Sequence, residues 1–174
     1  MTHLFIFVLA LLLSVEANPS PLNTEQHVSP ARILAGIKIK GAGVVLAELM
    51  KSGDWQTTVL PGIRSAQTDW LQVAKTLYRK TDAGTNEDLD ESLFQALLVA
   101  PYEVLPKFQS VWWASTETPC TFGYDSELRG GVDQYVKKLR IALGNNAPKK
   151  FTSLRDSCIR GIAATLIDVQ KHKE

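Results

Sequence analysis

What most constrains this chain is the way its apolar residues recur three and four positions apart, in rows cut by glycine and proline. Trp70, Val73, Ala74, Leu77 and Tyr78 make one row, and Leu89, Leu93, Ala96, Leu97 and Ala100 a second. Val132, Tyr135, Val136, Leu139 and Leu143 make a third, and Leu154, Cys158, Ile162, Leu166 and Val169 a fourth. An α-helix places such residues on one face, while a strand needs a period of two. Strand-like alternation is scarce. Amphipathic helices bury their stripes against one another, so the expected fold is all-α: a compact bundle or helix-pair stack of five to six short helices.

Glycines and prolines set the expected boundaries. Gly41-Ala42-Gly43 opens an apolar run, Val44 to Met50, that Ser52-Gly53 stops. Leu60-Pro61-Gly62 reads as a break. Thr68 or Asp69 caps the next helix, and Gly84 separates it from the following one. Thr85 with Asp88 resembles a capping box. Pro101 suits a first helical position, where its missing N–H costs little. Val104, Leu105 and Phe108 are the expected buried residues there, with Pro106 in the first turn or at a kink. Residues 109–125 read as an irregular link bearing Trp112, Trp113 and Cys120. Asp125 or Ser126 caps a long helix ending at Gly144-Asn145-Asn146, and the last helix starts near Thr152 or Ser153.

The N-terminus carries an address. Ten apolar residues, Leu4 to Leu13, precede Val15-Glu16-Ala17, a small-residue site. The run is too short to span a membrane and fits a cleavable export signal. Expected boundaries are residues 1–17 as signal peptide, 18–41 as flexible tail, and 42–174 as one helical domain. In the tail, Asn18-Pro19-Ser20-Pro21 and Ser29-Pro30 remove donors and disfavour helix, and Arg32–Lys40 is an extended or helical lead-in. The destination is the periplasm or the extracellular space. Only two cysteines occur, Cys120 and Cys158, and an oxidising compartment pairs them. Closing a loop of about 38 residues stabilises by roughly 4 kcal/mol at most.

One resemblance follows from Asp69-Trp70-Leu71-Gln72-Val73-Ala74, Thr81-Asp82-Ala83-Gly84-Thr85, Leu89, Ala96-Leu97 and Pro101 to Leu105. This layout, followed by a cysteine and a second cysteine in a late helix, resembles small exported all-helical proteins of Gram-negative bacteria with no assigned activity. The similarity spans roughly residues 53–160. It implies fold and compartment, and it transfers no catalytic residue.

The chemistry is mostly exclusion. The three histidines, His3, His27 and His172, lie in the leader, the tail and the C-terminus, which leaves no base for a Ser-His-Asp or zinc arrangement. No phosphate-binding glycine motif is complete. In the acidic run Asp82 to Glu91, Gly84 falls at the third position of a calcium loop, where a ligand belongs. Helix-dipole compensation explains the acids better, although Asp82, Asn86 and Asp88 would be the first metal suspects. No cofactor is implied. The chain carries 19 Lys or Arg and 18 Asp or Glu, so its overall charge gives no reason to expect nucleic acid. Trp112-Trp113 is the candidate binding surface, since adjacent residues of one helix or strand cannot both face inward. The expectation is a non-enzymatic exported binding protein, an envelope accessory or an immunity-type inhibitor of an envelope or secreted protein. The alternatives are a cell-wall glycan hydrolase using Glu91 or Glu103, and a structural envelope component.

Overall fold

A computed structural model of the chain describes residues 28–78, 80, 83–112, 120, 131–144 and 147–171. Among the described residues, eight α-helices follow one another: α1 (Pro30–Lys40), α2 (Ala42–Ser52), α3 (Leu60–Arg64), α4 (Thr68–Leu77), α5 (Ala83–Val99), α6 (Pro101–Trp112), α7 (Gly131–Leu143) and α8 (Thr152–Lys171). A π-helical turn, Trp55–Val59, runs into α3, and a 3-10 turn, Lys149–Phe151, runs into α8. The fold is all-α, with more helices than the five or six expected.

Two of the extra elements arise where prolines read as breaks. The Ser29 hydroxyl accepts from the Arg32 amide at 3.4 Å, and Pro30 takes the first helical position. Serine cap and proline start are one device, so Ser29-Pro30 begins α1 rather than disfavouring it. Ile33 is buried, and α1 packs on α2 and α4, so the tail ends well before residue 41. Likewise Leu60-Pro61-Gly62 is helical. Pro61 lacks an amide, and its ring crowds the carbonyl four residues back. Just before it the helix widens, and the Leu60 amide bonds to the Trp55 carbonyl, five residues back. The chain turns afterwards, at Ser65 and Ala66, where Ala66 has φ +58°. Gly62 serves close approach: a Cβ there would lie 2.4 Å from the Trp70 ring.

α5 is the central helix and packs against α3, α6 and α7. Leu89, Leu93, Ala96 and Leu97 are buried along it, as their spacing predicts. Because α5 starts at Ala83, Thr85 lies within the helix, buried, rather than capping it. Val104, Leu105 and Phe108 of α6 are buried, while Pro106 sits exposed inside the helix. α6 continues to Trp112, into the stretch expected to be irregular. On α7, Tyr135, Val136, Leu139 and Leu143 are buried, and the Tyr135 hydroxyl donates to the Phe94 carbonyl at 2.7 Å. Burial raises the Tyr135 pKa. The expected caps Asp125 and Ser126 lie outside the described residues.

α8 packs chiefly on α7 and on the 3-10 turn before it. Its Cys158 and Ile162 are buried, Leu154 and Leu166 half-buried. A disulfide joins Cys158 to Cys120, with Cα atoms 5.0 Å apart, so the pairing expected from the cysteine count is present. Cys120 is buried with φ +66°, a backbone region costly for a side chain other than glycine's. Among the described residues, no helix is long and apolar enough to cross a membrane.

Candidate functional site

The residues singled out by sequence fall in three places. Trp112 closes α6, but its side chain and all of Trp113 lie outside the described residues, as do Asp82 and all three histidines. Two acids of the run, Asp88 and Asp90, bond to other elements, while Glu87 is exposed. Asp88 Oδ2 accepts from Trp55 Nε1 at 3.0 Å and from Gln56 Nε2 at 3.1 Å, and Asp90 Oδ1 accepts from the Tyr78 hydroxyl at 2.9 Å. These acids join α5 to the π-helical turn and to the end of α4. Glu103 is exposed in the first turn of α6 and pairs with Lys107 at 3.0 Å, one helical turn on. Glu91 is half-buried on α5.

The surface that sequence reasoning missed lies between α7 and α8. Asp133, Val136, Lys137, Arg140, Ile141 and Leu166 line a groove of about 420 Å³. Each wall follows from helical spacing. Asp133, Lys137 and Ile141 are successive i, i+4 neighbours on the outer side of α7, and Val136 with Arg140 forms the row beside them. On α8, Leu166 stands next to Ala163, which lies between Ile159 and Ile167 at spacings of four. Ile141, Ile159 and Ile167 are 72%, 38% and 55% exposed, and Ala163 is exposed too. Helical spacing thus puts an exposed apolar row on α8 beside Leu166, the residue that α8 gives to the groove. Scattered apolar residues need no explanation, but a contiguous stripe beside a groove marks a surface for contact.

A packed corner holds the two helices in register. The Tyr102 hydroxyl donates to the Leu143 carbonyl at the end of α7. Its ring stacks on Phe151, with centroids 5.5 Å apart and planes 5° apart. Lys150 Nζ sits 4.7 Å over the Phe151 ring. Desolvation raises the Tyr102 pKa, Arg155 lowers it and Asp156 raises it further. Arg155 and Asp156 pair at 2.8 Å. The end of α7 and the start of α8 are thus tied to one aromatic pair.

The lining groups are aliphatic, cationic and a single carboxylate. They can hold an apolar ridge and meet an anion. Asp133 lies in the first turn of α7, where an acid offsets the helix dipole. Lys137 and Arg140 enter no ion pair among the described residues. One signal in the sequence pointed here: Ile141, Ile159 and Ile167 are bulky apolar residues that fall off the core stripes of their helices. Compared with protein-family models, curated proteins and solved structures, the chain has no significant match.

Proposed function

We propose that this chain is an exported, non-enzymatic binding protein that engages another protein through the α7–α8 face. The observation that carries the reading is the groove with an exposed isoleucine row beside it, because apolar residues grouped at a groove, unlike scattered ones, mark a contact surface. The leader-like segment 1–17 and the cystine support an oxidising compartment, the periplasm or the extracellular space. An envelope accessory or an immunity-type inhibitor fits a small domain of this kind. Glu91 and Glu103, the acids that a glycan hydrolase would use, do not line the groove.

The test compares mature wild-type protein with an Ile141→Ser/Ile167→Ser variant as baits in a periplasmic extract. The expected result is a partner captured by wild type and lost with the variant. Capture indifferent to both substitutions sinks the reading. So does peptidoglycan cleavage that disappears with Glu91→Gln or Glu103→Gln.

A further inference from the structure

Resting on that reading, we infer that the partner segment is an acidic amphipathic helix, lying along α8 with its carboxylates against Lys137 and Arg140. Shape comes first. The groove is walled by two helices, and Ile159 and Ile167 lie eight residues apart, about 12 Å or two helical turns. An elongated apolar groove of that kind takes the face of a helix, read through anchors at i, i+3 or i+4, and i+7. A compact small molecule would fill the groove and leave the stripe bare.

Charge supplies the rest. Residues 131–171 hold eight Lys or Arg against three Asp, although the chain as a whole is near balance. Two of those cations, Lys137 and Arg140, line the groove itself without an ion-pair partner among the described residues. Arg160, on the exposed side of α8, already donates to the Ser157 hydroxyl at 2.8 Å. A partner with carboxylates flanking its apolar face complements this rim, and a basic one is repelled by it. A bilayer is a poorer occupant, because half-buried Leu166 and buried Val136 are recessed between the helices. A flat surface would touch only the isoleucine tips. A phosphate backbone would meet the two cations but leave the apolar floor and the isoleucine row uncovered.

The experiment uses three labelled synthetic helices and fluorescence anisotropy with the oxidised protein. One carries leucines on one face and glutamates on its flanks. The second replaces the glutamates by lysines, and the third scrambles the leucines. The glutamate helix should bind about tenfold or more tighter than either other peptide, with a preference that shrinks as salt rises. Lys137→Glu/Arg140→Glu should reverse the choice towards the lysine helix, and Ile141→Ser/Ile167→Ser should weaken both. All four positions apart from the groove floor are exposed, so circular dichroism should show these variants folded.

Equal binding of the glutamate and lysine helices, lost in the isoleucine variant, overturns the acidic partner and leaves the docking face standing. Binding indifferent to the isoleucines removes both. Two further results overturn the inference in favour of another occupant: equal isoleucine-dependent binding to phosphatidylglycerol vesicles, or self-association in light scattering that Ile167→Ser abolishes.

Discussion

Around α3, α4 and α5, several polar side chains bond from one element to another. Trp55 and Gln56 meet Asp88, Tyr78 meets Asp90, and Gly62 lets the Trp70 ring rest on bare backbone. On α7 and α8 the arrangement is inverted. Ile141, Ile159 and Ile167 face outward, and Lys137 and Arg140 beside them are left without ion pairs among the described residues. The first region uses these polar side chains to join its own elements. In the second, α7 packs on α5 and α6, α8 is held chiefly by α7, the 3-10 turn before it and the cystine, and the pair keeps a face in reserve. Attachment at few points is what a binding element needs, since a face consumed by the core cannot meet a partner.

Removing the cystine should break this contrast most sharply. Cys120→Ala/Cys158→Ala should lower stability by up to about 4 kcal/mol in urea unfolding, with the loss scaling with the 38-residue separation. Hydrogen exchange should rise first along α8 and much less along α5. Equal loosening of both would mean the two regions form one cooperative unit.

Gly62→Ala attacks the other region. The new methyl meets the Trp70 ring, and moving that ring should cost about 1–3 kcal/mol. Adding Trp70→Ala should recover part of the loss, because the clash needs both partners. A strictly additive double variant would refute the close-approach account.

Tyr135 tests the seam between the regions. Its buried hydroxyl favours the neutral form, so its folded pKa lies above the ordinary 10.0. Between those values the unfolded chain has lost a proton that the folded chain keeps. Stability is therefore fully present below pH 10 and falls as pH rises beyond it. Tyr135→Phe should cost about 1 kcal/mol at neutral pH through its lost hydrogen bond. It should also flatten the alkaline limb, and an unchanged limb would rule out this linkage.

The smallest effect is the most telling. Ile141→Ser and Ile167→Ser should each change stability by less than about 0.5 kcal/mol, as substitutions on an uncovered surface do. A larger loss would place these residues within the fold and not on its docking face.

The helical stripes were legible because burial on one face imposes a 3.6-residue period whatever lies opposite. Leu89 to Leu97, Tyr135 to Leu143, and Cys158 with Ile162 accordingly sit where their spacing puts them. Ser29-Pro30 and Pro61-Gly62 misled because the same residues end one helix and begin or widen another. Which happens depends on whether the freed backbone groups find partners, as the Leu60 amide does on the Trp55 carbonyl. The Thr85 and Asp88 spacing fitted a cap, but Asp88 answers an indole 33 positions away. Pairings at that distance leave no local trace. The groove was hidden for a related reason: periodicity tells which side of each helix is apolar, not which neighbour covers it.

By itself the sequence determined the helical class, the core stripes and the pairing of its only two cysteines. Each follows from local period or from a count that allows one answer. Tertiary structure alone decided which apolar residues stay exposed among the described residues. That is a property of α7 and α8 together, because a groove exists only where two surfaces meet and part of each is left over.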